Sequence, residues 1–303
     1  MIGINEIASY IPEFKVLSSE RTDGDEQFLK DKIGTVNLPQ FKNTSVADSC
    51  DLAFKNLAKK IKINLDEIEC IVLCTQNPDY NGLPHNSALI QSKIGASTNT
   101  ACFDVGLGCS GYVYSLSIIQ SFMQANSMKK GLMFTCDPYS KIIDKNDKNT
   151  APLFGDAASV TLLTDEPKYS IEKTLFHTNG TSFESIYNNN GVFFMNGRSV
   201  FNFVMKEVPK QIKCLRGNIN LSDEDIDLYV LHQGSKFMIE KVGSKITQNI
   251  MKLPFDIVDT GNTVSSSIPL ILESHINNGL KNIIICGFGV GLSCASSFLK
   301  QNK

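Results

Sequence analysis

The chain has 303 residues, 42% of them hydrophobic and 20% charged, with 29 Lys and Arg against 31 Asp and Glu. That length supports a large globular core, enough for two domains or one duplicated domain, and the balanced charge excludes a nucleic-acid surface built on basic excess. No run approaches the roughly 20 apolar residues of a membrane span, and Met1–Tyr10 lacks the charged start and long apolar stretch of a signal peptide, so the expected compartment is the cytoplasm.

Taken in chain order, apolar residues recur at helical spacing over Val46–Lys60, and a β-branched run at Cys70–Thr75 predicts a strand. A second helix is predicted over Tyr112–Met123 and a second strand over Leu132–Cys136. A composition shift near Thr164–Lys168 marks a boundary, followed by turns at Asn179–Gly180 and Asn188–Gly191. Beyond it come a strand at Leu228–Leu231, helices at Met238–Ile250 and Ile268–Asn277, and a strand at Asn282–Cys286. Strands alternating with helices in two comparable halves give an α/β pattern.

The nine cysteines are an odd number and sit mostly inside apolar runs, so they read as reduced thiols and not as a disulfide framework. Cys70 and Cys74 share one face of a strand, but no second cysteine or histidine pair completes a zinc site, and no metal is expected.

Four stretches could carry chemistry. In Ala101–Tyr114 a strand breaks at Gly106 and Gly108 and becomes a helix after Cys109. A thiol there faces unpaired N–H groups and the positive end of the helix dipole, which lower its pKa; the alternative is one more buried cysteine. In Tyr229–Ser235 the His232-Gln233 pair follows directly on an apolar strand, the place where α/β folds set catalytic groups, although a lone histidine is often structural. Asn262 lies in a polar turn ahead of a helix, and Gly287–Leu292 forms a glycine loop. Either of these could equally serve a turn or close packing.

In this order and spacing the segments resemble the β-ketoacyl-acyl carrier protein synthase III family of the thiolase-like superfamily. The resemblance runs from Gly3–Pro12 through Thr75–Tyr80, Pro84–Gly95, Asp104–Tyr112, Leu153–Ala158, Met195–Gly197 with Val200-Phe201, His232-Gln233 and Gly261–Thr263 to Gly287–Gly291. It implies a thiolase-like duplicated α/β fold of two similar halves, each with a mixed sheet, layered α/β/α/β/α. Residues 1–165 would carry the nucleophile, and residues 166–303 the histidine and asparagine.

By the same resemblance Cys109 accepts an acyl group from a thioester. Malonyl-acyl carrier protein then loses CO2 and the resulting enolate attacks, with His232 and Asn262 bonding the thioester oxygen and the N–H groups of Cys109 and Val290 forming the oxyanion hole. The family usually has glycine at 290, so the donor survives only if the backbone there suits a β-branched residue. Phe288 stands where thiolases carry a second catalytic cysteine, which argues against thiolytic chemistry. The donor side departs from the pattern. Phe28 and Lys148 occupy the positions of a tryptophan and an arginine that clamp the adenine of acyl-CoA, and Lys32 and Lys236 are the remaining basic candidates at the entrance. The resemblance thus implies a specialised paralogue that takes an acyl-CoA or an acyl-carrier protein thioester, holds no tightly bound cofactor, and forms a homodimer. A partner loop near Gly82–His85 would bring Leu83 to the acyl pocket. Two other outcomes use the same residues: acyl transfer to an oxygen or nitrogen nucleophile, or a non-catalytic subunit that binds carrier protein.

Overall fold

The computed structural model describes residues 1–22 and 25–302. The first half holds strands β1 (Gly3–Tyr10), β2 (Cys70–Cys74), β3 (Ala101–Val105), β4 (Lys130–Cys136) and β5 (Ala158–Thr164), with helices α1 (Val46–Lys60), α2 (Asn86–Ile94) and α3 (Gly111–Ala125). The second half holds β6 (Tyr169–Thr178), β7 (Leu228–Leu231), β8 (Asn282–Gly289) and β9 (Ser293–Gln301), with α4 (Gly197–Asn218), α5 (Lys236–Gly243) and α6 (Ser267–His275).

The halves repeat one topology. In the first, β2 pairs parallel with β4, β4 antiparallel with β5, and β5 antiparallel with β1. In the second, β7 pairs parallel with β8, β8 antiparallel with β9, and β9 antiparallel with β6. The first half adds β3 as a parallel edge strand on β2. Two residue pairs, Gly3↔Ser170 and Ile4↔Tyr169, join the sheets through β1 and β6 into one nine-stranded order.

Burial explains the layering. Helix α3 buries Tyr112, Val113, Leu116, Ile119 and Met123 completely, and it packs with Ile268, Ile271 and Leu272 of α6 between the two sheets. Helices α1 and α2 cover the outer face of the first sheet, and α4 and α5 the outer face of the second. Each of these exposes a polar stripe, which gives five layers.

Several motif residues build this frame. The Ser45 hydroxyl accepts from Asp48 N–H at 3.0 Å and the Asp79 carboxylate accepts from the N–H groups of Val46 and Ala47, satisfying the free donors at the start of α1. The Asp104 carboxylate does the same for Asn86 and Ser87 at α2.

The predicted elements correspond to observed ones, with corrections. The helix expected over Met238–Ile250 ends at Gly243, where a Cβ would lie 2.7 Å from Leu253; a separate 3-10 turn covers Ile250–Lys252. The last strand runs to Gly289, and β9 follows it. Helix α4 is continuous through Pro209. The missing proline N–H leaves the Met205 carbonyl unbonded within the helix, and Lys245 Nζ donates to it at 3.3 Å. All nine cysteines are free. Among the described residues no helix is long and apolar enough to cross a membrane, and no group of three or more His, Cys, Asp or Glu is placed to hold a metal ion.

Candidate active site

Cys109 sits two residues before α3, pressed between the halves. A Cβ on Gly287 of β8 would lie 2.6 Å from the Cys109 carbonyl oxygen, and one on Gly289 would lie 2.9 Å from Cys109 Sγ. Glycine at both positions lets β8 run against Cys109. The Ser110 and Ser293 hydroxyls bond at 2.8 Å and close the seat from the other side.

The sequence predicts a lowered thiol pKa here, and the structure overturns that expectation. Cys109 is 8% exposed, and burial pushes the thiol up to about 12, with the Asp137 carboxylate acting in the same direction. The N–H groups of Val290 and of Cys109 itself bond the sulfur and pull the other way without prevailing. Part of the reason is that the first helical N–H, that of Gly111, already donates to the Gly108 carbonyl at 2.8 Å. The positive-φ conformations fall on Gly289 and Gly291, so position 290 accommodates valine and keeps its donor.

His232 directly follows β7, and its N–H donates to the Cys286 carbonyl at 2.8 Å, extending the parallel ladder to β8. The ring meets the Phe288 ring edge-on, centroids 5.4 Å apart, and Nδ1 lies 2.7 Å from Ser267 Oγ. Burial drives its pKa down to about 3, so the imidazole is neutral at physiological pH. Its neighbour Gln233 has a different task. Its amide donates to the carbonyls of Leu231 and Pro254 and accepts from Asp256 N–H, which stitches the following loop to the strand end.

Asn262 is held by its backbone as well as its side chain. Its N–H donates to Leu153 O at 2.8 Å, its carbonyl accepts from Gly155 N–H at 3.2 Å, and Oδ1 accepts from Val264 N–H at 2.9 Å. With Oδ1 engaged, the side chain offers N–H donors to the space before it.

These groups share one cavity of about 670 Å³, lined by Cys109, His232, Asn262, Phe288, Gly289 and Val290. Tyr139, Phe154 and Phe193 close part of it as an aromatic cluster with centroids 5.2 to 5.3 Å apart. Phe193 arrives on a hairpin of strands Ile186–Asn189 and Val192–Met195 that turns at Asn190-Gly191. At the solvent end the Phe237 ring stacks on Phe201 at 5.4 Å and carries Lys32 Nζ 3.9 Å from its centroid, with Phe28 and Arg198 nearby on the lining.

The structure therefore gathers Cys109, His232, Asn262, Val290, Phe28 and Lys32 on one cavity. It does not place Lys148, Lys236 or Leu83 on its lining. Lys236 Nζ turns instead to the Lys30 carbonyl at 3.3 Å, and Leu83 is 84% exposed on an outer loop. Of the other histidines, His177 lies near the end of β6, 3.9 Å from Glu207, His85 precedes α2, and His275 ends α6. Tyr139, Phe193, Phe201 and Phe237 were missed from sequence. The apolar run Val192–Met195 after an Asn-Gly turn was the one signal that could have marked a hairpin strand carrying Phe193.

The family model described as 3-Oxoacyl-[acyl-carrier-protein (ACP)] synthase III matches residues 103–180, and that of its C-terminal part matches residues 217–301. The chain is 30% identical to a beta-ketoacyl-[acyl-carrier-protein] synthase III of Streptococcus agalactiae over 98% of each chain, and 27% identical to one of Lactococcus lactis over the same shares. A crystal structure of a 3-oxoacyl-(acyl-carrier-protein) synthase III superposes with a TM-score of 0.91 at 29% identity, covering 99% of both chains. The synthase III of Aquifex aeolicus shares the fold, with a TM-score of 0.93 at 24% identity over 99% of this chain and 100% of that one. This chain belongs to the 3-oxoacyl-[acyl-carrier-protein] synthase III family of the thiolase-like fold.

Proposed function

We propose that the protein is a condensing acyltransferase in which Cys109 carries the acyl group while His232 and Asn262 stabilise an enolate. The observation that carries this reading is the convergence of a thiol, a neutral imidazole and an amide donor on one cavity. In the first step the Cys109 sulfur attacks the thioester carbonyl, the N–H groups of Cys109 and Val290 receive the oxyanion, and the donor thiol departs with the cysteine's proton. In the second, a malonyl thioester on acyl carrier protein loses CO2, and its enolate oxygen takes hydrogen bonds from His232 Nε2–H and Asn262 Nδ2–H. The enolate carbon forms a bond to the acyl carbon, the Cys109–acyl bond breaks, and the released thiolate takes a proton from solvent.

Transfer to a hydroxyl or an amine would need His232 as a base, and a ring whose pKa is about 3 is a poor one at neutral pH. Phe288 beside His232 offers no second thiol for thiolytic chemistry. The donor is an acyl-CoA or acyl-carrier protein thioester. We favour the carrier protein, because Phe201 and Lys32 already engage the Phe237 ring at the entrance and leave it less free to stack a nucleotide base. Division of the chain at 165, a cytoplasmic setting, and a homodimer in which the exposed Leu83 loop reaches its partner's pocket belong to the same reading.

The test is to incubate the protein with an acyl thioester and malonyl-carrier protein. Release of CO2 together with a 3-oxoacyl product, both abolished in Cys109→Ala and His232→Ala variants, is expected. Product without CO2 would establish simple transfer instead.

A further inference from the structure

We propose that Ser267 is a positioning residue that sets the tautomer of His232: its hydroxyl donates to Nδ1 and so keeps the ring proton on Nε2, the nitrogen on the cavity side. This rests on the enolate-stabilising reading of His232 and extends it to a group outside the cavity lining.

Ser267 is the first residue of α6 and is 3% exposed. Its Oγ lies 2.7 Å from His232 Nδ1, 3.1 Å from the Val264 carbonyl oxygen and 3.5 Å from the Gln233 N–H. A hydroxyl has one proton to give, and here two acceptors compete for it. The Val264 carbonyl already accepts the Ser267 backbone N–H, and the Gln233 N–H points a donor at Oγ. The proton is therefore best placed on the shorter line to Nδ1. A neutral imidazole that accepts at Nδ1 carries its hydrogen on Nε2.

The choice of a hydroxyl decides what the ring can do. In an acid–base triad an orienting carboxylate accepts from Nδ1–H, which leaves Nε2 a lone pair for taking protons. A serine that donates to Nδ1 produces the reverse, a fixed uncharged donor at Nε2, and that is what an enolate oxygen needs. Without the hydroxyl, the Val264 carbonyl remains beside the ring as a hydrogen-bond partner. Nδ1 would then take the proton, and Nε2 would turn a lone pair toward the developing negative charge.

The chain has four histidines, so protein labelled with nitrogen-15 histidine yields four imidazoles whose protonated nitrogens can be distinguished. The wild-type His232 should show protonated Nε2 and bare Nδ1. Ser267→Ala should move the proton to Nδ1 and lower malonyl decarboxylation by roughly 10²-fold or more, the loss typical of an oxyanion donor. Acylation of Cys109 should stay within a few-fold, and Ser267→Thr should restore both the tautomer and the decarboxylation. If Ser267→Ala does not fold, Ser267→Cys, a weaker donor, should give a mixed tautomer. Protonated Nδ1 in the wild type, or Nε2–H retained in Ser267→Ala, overturns the proposal. Wild-type Nε2–H in a protein that decarboxylates no malonyl thioester overturns the condensation reading and leaves the tautomer assignment standing.

Discussion

A Cβ placed on Gly289 would stand 2.8 Å from Cys109 Cβ and 2.9 Å from its Sγ, so the last residue of β8 is shaped by a cysteine from the other half of the chain. Such separations are shorter than van der Waals contact, and the thiol has to move. Gly289→Ala should lower acylation of Cys109 by about 10²-fold, the scale of a misplaced reacting group, and should also cost stability, because φ at Gly289 is +154° and the Cys109 Cβ cannot rotate away. Gly287→Ala would meet backbone atoms of Cys109 and Ser110 at 2.6 and 2.8 Å, which cannot rotate away. It should cost about 1–3 kcal/mol or more of stability as well as activity. Tm and acylation rate measured side by side for the two variants check both effects.

The cluster of Tyr139, Phe154 and Phe193 limits the room beside the thiol. Phe193 is 7% exposed and comes from the hairpin, the least anchored of the three positions. Phe193→Ala should extend the accepted acyl chain by several carbons and shift the preference among straight-chain thioesters toward longer ones. It should also cost about 3 kcal/mol of stability, at the lower end for a buried phenylalanine. Competition between short and long acyl donors reads the first effect, and denaturant unfolding the second.

At the entrance, Phe237 and Lys32 form a cation–π pair at 3.9 Å. Replacing Phe237 by alanine removes the ring that orders this rim and should raise KM for the acyl donor several-fold while changing kcat little, because the pair lies away from Cys109. Equal loss of kcat and kcat/KM would place Phe237 in the chemistry instead.

His232 gives stability a pH dependence of defined sign. Its pKa is about 3 in the folded chain against 6.5 for the free group, because burial disfavours the cation. Between these values the unfolded chain binds the proton and the folded chain does not, so stability falls as pH drops below 6.5, by up to about 1.4 kcal/mol per pH unit. Burial raises Asp137 from 3.8 to about 6, and there the folded state binds the proton more tightly. That contribution opposes the histidine below pH 6. A His232→Gln variant should lose the acid destabilisation between pH 6.5 and 6, which urea midpoints measured across pH 5 to 8 will show.

The candidate site residues were legible because each interrupts an apolar element at its end. Cys109 follows a strand broken by Gly106 and Gly108, His232 follows Leu228–Leu231, and Asn262 precedes a buried helix. What tertiary packing creates was not legible. The high thiol pKa depends on how deeply two halves bury Cys109, and Phe237 gains its place at the entrance only because α5 folds back against Phe201 and Lys32. Strand β9 was hidden by its own composition. Ser293, Ser296 and Ser297 make it read as a polar tail, whereas it is central to the second sheet and buried over Ser293–Leu299.

The central claim is that Cys109 carries the acyl group, and mass spectrometry of peptides after incubation with a panel of acyl-CoA and acyl-carrier protein donors tests it most directly. The acyl mass should fall on the peptide containing Cys109 alone among the nine cysteines, vanish in Cys109→Ala, and disappear again with CO2 release when malonyl-carrier protein is added. Acyl mass on another cysteine, or full turnover by the Cys109→Ala variant, would contradict it.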